Sequence, residues 1–180
     1  MMGNKSLNIL IFSSLFPSEV RKTAGLFVRE RMFRMREHAN LVVVSPVPYF
    51  PGQEIIKWFV RDYRPMPAKK EIQDGVTVYY PRFLSFPKFF RSKDAQFLTF
   101  SVRRFVKKLC KIHEINIIDS HFTYPDGVAA TTLAKELGIA STITMRGTEV
   151  PHSNDPKKLP QLKKAWSDAS HVIAVSQSLK

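Results

Sequence analysis

Residues 115–127 read Ile-Asn-Ile-Ile-Asp-Ser-His-Phe-Thr-Tyr-Pro-Asp-Gly, an apolar run that gives way to polar residues where a helix is expected to begin. A short apolar run of this kind is typical of a buried parallel strand. In an open α/β sheet, ligands bind at the carboxyl ends of the strands. Here that point carries a histidine, His121, and an aspartate, Asp126. The stretch therefore predicts a strand of a parallel sheet and a functional turn directly after it.

Similar elements alternate along the rest of the chain. The predicted strands are 8–13, 41–44, 76–80, 115–120, 140–144 and 171–175, and the predicted helices are 25–37, 95–112, 127–137 and 156–168. Asp94 is the expected N-cap of the second helix, and Gly138 is the expected C-cap of the third. Five prolines in residues 46–67 predict a long irregular loop. Strands that alternate with helices predict a Rossmann-like, doubly wound, mostly parallel sheet.

The composition limits the classes of protein to consider. The chain has 180 residues, of which 44% are hydrophobic, enough for a single domain (residues 1–180) with its own core. A single cysteine, Cys110, excludes an internal disulfide framework, and no Cys/His cluster has the spacing of a structural zinc site. The sequence contains no signal-peptide core and no run of about 18 apolar residues. We therefore expect a cytoplasmic protein without a structural zinc site.

The chain is strongly basic. It has 28 Lys and Arg against 15 Asp and Glu, a formal net charge of +13. Such an excess favours an anionic partner, for example a nucleotide, a nucleic acid or an acidic lipid surface. Most of the excess lies in residues 82–113, where nine basic residues accompany one acidic residue, Asp94.

The helix predicted at 95–112 is amphipathic. Its apolar residues recur at alternating spacings of four and three, which places them on one face and the basic residues on the other. Exposed aromatics beside cations suit an anionic membrane surface or a bound acceptor. The alternative is that the phenylalanines lie in the core beneath a solvated basic face, and nucleic-acid binding is a third interpretation without a recognition motif to support it. The candidate patch consists of Phe89, Phe90, Arg91, Arg103, Arg104, Lys107 and Lys108.

The loop after the first predicted strand leads to Gly25, which opens the first helix. Because this loop has only one glycine, the G-x-G-x-x-G dinucleotide fingerprint is excluded. A helix N-terminus at Gly25 would still favour a phosphate through its unpaired amides and its dipole. The alternative is that Gly25 only relaxes a turn.

Two strand ends carry the candidate catalytic residues His121, Asp126, Arg146 and Glu149. Histidine titrates near physiological pH, so His121 suits a base or a hydrogen-bond donor, although it can also be a satisfied polar group. Asp126 suits catalysis or capping of the next helix, because the helix dipole stabilises a carboxylate there. Arg146 can hold a phosphate or carboxylate by two parallel hydrogen bonds, and Gly147 lets a ligand approach the backbone.

The order of these motifs resembles the amino-terminal lobe of GT-B glycosyltransferases of family 4. The resemblance is carried by Phe16-Pro17, Gly-Leu-Phe-Val-Arg-Glu at 25–30, Ile-Asp-Ser-His-Phe-Thr-Tyr-Pro-Asp-Gly at 118–127, Arg-Gly-Thr-Glu at 146–149 and Val-Ile-Ala-Val-Ser at 172–176. It covers nearly the whole chain. Each motif is weak alone, and their order and spacing make the match specific.

The resemblance implies two Rossmann-like lobes that face a cleft, of which this chain holds the acceptor-side lobe. The lobe that binds the nucleotide sugar is expected to lie beyond Lys180. The family transfers a hexosyl unit with retention of configuration and without a metal or other cofactor. By position, Gly25 would face the donor phosphates, and His121 and Asp126 would line the acceptor side.

One motif departs from the family pattern. Arg146 and Glu149 fall where many members have a histidine and an aspartate in a His-Gly-x-Asp pattern. An arginine cannot act as a general base at neutral pH, so we expect Arg146 to stabilise charge or position a substrate.

Two functions are compatible with these features. The first is the acceptor-binding lobe of a glycosyltransferase in polysaccharide or glycolipid assembly, helped onto the inner face of the membrane by its basic aromatic segment. Its partners would be a nucleotide-sugar donor and a glycan or lipid-linked acceptor, not a nucleic acid, and the 180-residue piece would be inactive alone. The alternative is a non-catalytic α/β module that binds an anionic ligand.

Overall fold

Seven strands form the central sheet of the computed structural model, which describes residues 7–50, 52–53, 65–86 and 90–179. The described residues contain nine strands, β1 (Asn8–Phe12), β2 (Asn40–Val44), β3 (Val47–Tyr49), β4 (Lys70–Gln73), β5 (Val76–Tyr79), β6 (Arg82–Leu84), β7 (Ile117–His121), β8 (Ala140–Met145) and β9 (His171–Ala174). β3 and β6 pair with each other in a separate two-stranded sheet. The α-helices are α1 (Leu26–Phe33), α2 (Asp94–Ile112), α3 (Val128–Leu137), α4 (Glu149–Ser153) and α5 (Leu159–Asp168). Short 3₁₀ turns span Arg34–Glu37, Arg91–Lys93 and Gln177–Leu179, and a π-helical turn spans Thr123–Gly127.

The strand order places a switch point at the middle of the sheet. The order is β4-β5-β2-β1-β7-β8-β9, and every neighbouring pair is parallel except β4 with β5. The chain leaves β1 first towards β2 and returns later to β7, so the order reverses between β1 and β7. Open α/β sheets bind ligands at such a point. The predicted Rossmann-like, mostly parallel sheet is confirmed.

Alternating residues of β1 supply two cores, one on each face of the sheet. Leu10 and Phe12 are fully buried on the face that α2 and α3 cover. Ile9 and Ile11 face the other way, against α1. Full burial of each large apolar side chain is worth roughly 1.5–3 kcal/mol, so both faces hold β1 at the centre. The strand end that follows, at Ser13, is thereby placed rigidly beside β7.

Three strands are missing from the sequence prediction: β3, β4 and β6. β3 and β6 have three residues each, and β3 contains Pro48, so neither shows a strand-length apolar run. β4 lies at the edge of the sheet, and its residues alternate between exposed and partly buried positions. Edge strands of this kind carry charged side chains and lack a continuous apolar pattern. β3 also lies within the predicted irregular loop at 46–67, of which residues 54–64 fall outside the described ranges.

Two predicted helix starts are wrong. Asp94 is not the N-cap of α2, because the helix already begins at Asp94, whose carboxylate accepts a hydrogen bond from Ser85 Oγ at 3.2 Å. The last helix begins at Leu159, not at residue 156, with Pro160 in its first turn, a position that tolerates proline.

Candidate functional site

The carboxyl ends of β1, β7 and β8 lie side by side, as the sequence predicted. Phe12 is paired with Ser120, and His121 is paired with Thr144. Residues that follow these strands therefore meet at one edge of the sheet, next to the switch point. The predicted residues His121, Asp126, Arg146 and Glu149 all belong to this edge.

Asp126 is held by the loop that follows β1. Its Oδ2 accepts hydrogen bonds from the Ser14 backbone N–H at 2.7 Å and from Ser14 Oγ at 3.0 Å. Its Oδ1 is buried, with no hydrogen-bond partner among the described residues. Burial raises the pKa of Asp126 to about 7, although the two bonds from Ser14 act in the opposite direction. The carboxylate makes no capping bond to α3, so the capping interpretation is wrong.

The turn between β7 and α3 directs Asp126 inwards. Phe122 has a positive φ of 72°, which is uncommon for a side chain of this size. The N–H of Gly127 donates to the Phe122 carbonyl at 3.0 Å and closes the turn. Residues held in sparsely populated backbone regions cluster at functional sites, which supports a functional role for this turn.

His121 is fully buried and contacts Arg146. Arg146 Nε lies 3.4 Å, and Nη2 lies 3.2 Å, from His121 Nδ1. On the other side of the ring, Nε2 lies 3.5 Å from Asp119 Oδ2, within ion-pair range but without hydrogen-bond geometry. The imidazole is therefore enclosed between an arginine and an aspartate.

Arg146 stands between the buried imidazole and the surface. Its guanidinium carbon lies 4.7 Å from the ring centre of Phe27, a half-exposed residue in the first turn of α1. Burial and the nearby Arg31 lower the pKa of Arg146, while Asp119 raises it. An arginine remains charged at neutral pH, so the site contains a permanent cation.

Glu149 has a structural role in this site. Its Oε1 accepts the Thr123 N–H at 2.8 Å, and its Oε2 accepts the N–H groups of Arg146 at 3.1 Å and Gly147 at 2.8 Å. The buried carboxylate thus joins the end of β8 to the turn after β7. A catalytic role for Glu149 stays a prediction.

Gly25 is buried at the start of α1 and packs against the loop that follows β1. It precedes α1 with a φ of 67°, and a Cβ at this position would come within 2.1 Å of the Leu15 carbonyl oxygen. The conformation and the close approach both require glycine. Phe27, two residues later, brings α1 into contact with the site. Its ring packs edge-on against Phe122, with 6.3 Å between the ring centres. A phosphate contact at Gly25 stays a prediction.

The basic patch is only partly as the sequence predicted. Arg104, Lys108 and Arg91 are exposed, whereas Arg103 and Lys107 each form an ion pair of 2.9 Å with Glu136 of α3. Phe90 is 60% exposed, but Phe83, which precedes the patch, belongs to the core. Phe89 lies outside the described residues. Phe100 of α2, which the sequence prediction missed, is 79% exposed. None of the helices in the described ranges is long and apolar enough to cross a bilayer.

Sequence reasoning also missed Ser14, Phe27 and Asp119 as parts of the site. Asp119 could have been found, because a spacing of two residues places it on the same face of a strand as His121. Nothing in the local sequence identifies Ser14, whose partner is 112 residues away. Within the described residues, no group of three or more His, Cys, Asp or Glu side chains could hold a metal ion.

Known proteins resemble the chain in sequence and in fold. No protein-family model matches it. A Bacillus subtilis (strain 168) protein named as a teichuronic acid biosynthesis glycosyltransferase, TuaC, is 25% identical over 182 residues, which cover 97% of this chain and 45% of that protein. The chain therefore spans less than half the length of this curated relative.

Two solved structures show the same fold. The UDP-GlcNAc 2-epimerase of Methanocaldococcus jannaschii matches 96% of this chain and 40% of its own with a TM-score of 0.53 and 12% identity. The glycosyltransferase SsfS6 of Streptomyces sp. SF2575 matches 97% of this chain and 52% of its own with a TM-score of 0.50 and 12% identity. Such partial coverage fits one lobe of a two-lobe protein. The fold that the sequence resemblance implied is thereby confirmed: the chain has the Rossmann-like fold of a GT-B lobe.

Proposed function

We propose that this chain is the acceptor-side lobe of a glycosyltransferase that moves a hexosyl unit from a nucleotide sugar to a glycan or lipid-linked acceptor in polysaccharide or glycolipid assembly. One observation carries the proposal: Asp126, His121 and Arg146 gather at the carboxyl edge of the sheet, where β1 and β7 meet. The sequence similarity to TuaC, whose name assigns it to teichuronic acid biosynthesis, supports the same reaction class.

The contacts within the site support a division of roles. Asp126 holds the partly exposed Ser14 hydroxyl at the edge of the cleft, and a carboxyl with a pKa of about 7 can give or take a proton at neutral pH. Arg146 supplies a fixed positive charge at the same edge of the sheet, beside His121 and Phe27. Both carboxylates, Asp126 and Glu149, are buried and bonded within the protein. We propose that neither buried carboxylate attacks the sugar as a nucleophile, that the transfer retains the anomeric configuration, and that no metal takes part.

A transfer assay tests the proposal. The protein that combines this lobe with a nucleotide-sugar lobe is incubated with UDP-hexoses and a lipid-linked acceptor, and the anomeric configuration of the product is read by NMR. We expect transfer with retention that persists in EDTA, and no turnover by the 180-residue chain alone. An inverted product, loss of activity on chelation, or turnover by the isolated chain would contradict the corresponding part of the proposal. Tight ligand binding without any transfer by the two-lobe protein would favour the non-catalytic module.

We also propose that the exposed basic patch holds the lobe on the cytoplasmic membrane surface. Replacing both Arg104 and Lys108 with glutamate is expected to weaken binding to phosphatidylglycerol vesicles by at least about thirtyfold, because each lost cation contributes about 1 kcal/mol near an anionic surface and the new carboxylates add repulsion. Vesicle sedimentation measures the effect. The control replaces Lys22 and Arg34 with glutamate, which changes the net charge equally on exposed residues beside α1, on the other face of the sheet. Equal partitioning of the native chain onto neutral and anionic vesicles would contradict the proposal.

A further inference from the structure

Four neighbouring polar side chains interrupt the apolar interior of the sheet. Asp119 and His121 of β7 are in register with Thr142 and Thr144 of β8, so all four lie on the same face. Thr142 Oγ1 donates a hydrogen bond to Asp119 Oδ1. Central strands of doubly wound sheets are ordinarily apolar on both faces, as Ile11 is in the neighbouring strand β1. Polar residues at this depth require a role that packing does not supply.

The contacts of His121 determine which ring nitrogen carries its proton. Arginine can only donate hydrogen bonds, so the Nδ1 atom that faces Arg146 must accept. The proton of the neutral ring then lies on Nε2, on the side of Asp119 Oδ2 at 3.5 Å. The carboxylate stabilises this tautomer, in the way that a carboxylate orients a histidine in other sites. The result is a chain of three side chains, from Asp119 through His121 to Arg146.

The imidazole itself is closed to a substrate. His121 has an exposed fraction of 0%, and Arg146 occupies the side on which Nδ1 would accept a proton. His121 therefore cannot act as a base towards a substrate while Arg146 keeps this position. The group that faces the cleft is the guanidinium.

The Arg146 guanidinium has N–H donors that do not bind His121. Nε and Nη2 are directed at His121, whereas Nη1 has no acceptor among the described residues. Among the described residues, neither Arg146 nor Arg31, which lies near it, forms an ion pair with a carboxylate. The backbone directly after Arg146 is also open, because a Cβ added to Gly147 would meet nothing within 4 Å. A partly buried cation with no carboxylate in direct contact is costly, and an anionic ligand would offset that cost.

We propose that Asp119 and His121 form a positioning pair that holds Arg146, so that its free N–H groups bind two oxygens of an anionic substrate group, either phosphoryl or carboxylate. His121 is then a positioning residue and not a catalytic base. The ligand class rests on the proposed function, because a glycosyltransferase offers two sources of such an anion: the donor diphosphate and an acidic sugar of the acceptor. The positioning pair itself is independent of that function.

NMR of the ¹⁵N-labelled 180-residue chain tests the positioning pair without any need for turnover. Long-range ¹H–¹⁵N spectra report which ring nitrogen of His121 is protonated, and His121→Asn assigns the signal. We expect the Nε2–H tautomer in the native chain and a mixture of tautomers in Arg146→Met. A native chain with its proton on Nδ1 would overturn the proposal.

Titration of the same chain tests the anion site and separates the two sources. The probes are inorganic phosphate and D-glucuronate, with neutral D-glucose as the control, and the reporter is the Arg146 Nε–H signal. We expect phosphate, glucuronate or both to move this signal and glucose to leave it unchanged; phosphate alone points to the donor and glucuronate alone to an acidic acceptor. Arg146→Met is expected to weaken binding at least tenfold, the effect of losing about one charge-assisted hydrogen bond.

Two further variants distinguish a loss of Arg146 positioning from a loss of the fold. His121→Asn keeps an acceptor for Arg146 and is expected to retain more of the binding than His121→Leu, which removes it. Equal binding by the native chain and Arg146→Met, or no response to either anion, would overturn the inference. If the tautomer and the anion binding are as expected but the two-lobe protein transfers no sugar, the proposed function fails and the positioning pair stands.

Discussion

Replacing Gly25 with alanine is expected to destabilise the fold by about 3 kcal/mol. A left-handed residue with a Cβ costs about 1–2 kcal/mol, and forcing an atom into a packed region costs about 1–3 kcal/mol more. Both terms apply, because φ is 67° and the new Cβ would come within 2.1 Å of the Leu15 carbonyl oxygen. Urea denaturation of the 180-residue chain measures the loss, and a shift of the melting temperature of roughly 6–12 °C should accompany it.

The control for this prediction is Gly138→Ala. Gly138 has almost the same φ of 66° at the end of α3, but an added Cβ would meet nothing within 4 Å. Only the conformational cost then applies, about 1–2 kcal/mol. Equal losses for the two variants would show that the approach of Gly25 to Leu15 is not what requires glycine. The loop from Ser13 to Gly25 would then be free to adopt other positions beside the site.

Asp126→Asn is expected to remove a pH dependence of stability. The ordinary pKa of the carboxyl is 3.8 and burial raises it to about 7, so between these values the folded chain holds a proton that the unfolded chain has released. The stability contributed by Asp126 is therefore present below pH 4 and is lost as the pH rises towards 7. The gap between the two values corresponds to about 4 kcal/mol as an upper estimate. Asparagine carries no such proton, so the variant should gain about 3 kcal/mol relative to the native chain between pH 4.5 and pH 8.

Unfolding free energies of both proteins, measured at several pH values, provide the test. The control is Asp74→Asn, a carboxylate whose side chain is 53% exposed and whose positive φ asparagine tolerates. Its difference from the native chain should stay within about 0.5 kcal/mol over the same range. A difference between Asp126→Asn and the native chain that does not change with pH would show that Asp126 is already ionised in the folded protein at pH 5. Asp126 would then be a poor proton donor for the proposed reaction.

The sequence by itself determined the order of the main strands and helices and the edge of the sheet at which the polar residues gather. These features depend on local patterns. An apolar run such as 41–44 predicts a central strand, and Gly138 ends a helix because it can adopt a left-handed conformation. Strands without such a pattern were missed, as the exposed edge strand β4 illustrates.

Only the tertiary structure decided which side chains meet at that edge. Ser14 binds Asp126 across 112 residues, and Arg146 covers His121 across 25. These partners depend on the order and register of strands that are distant in sequence, and no local period encodes them. For the same reason, Asp126 is a buried acid instead of a helix cap, Glu149 joins two loops, and Arg146 is partly exposed at the site while His121 is fully buried.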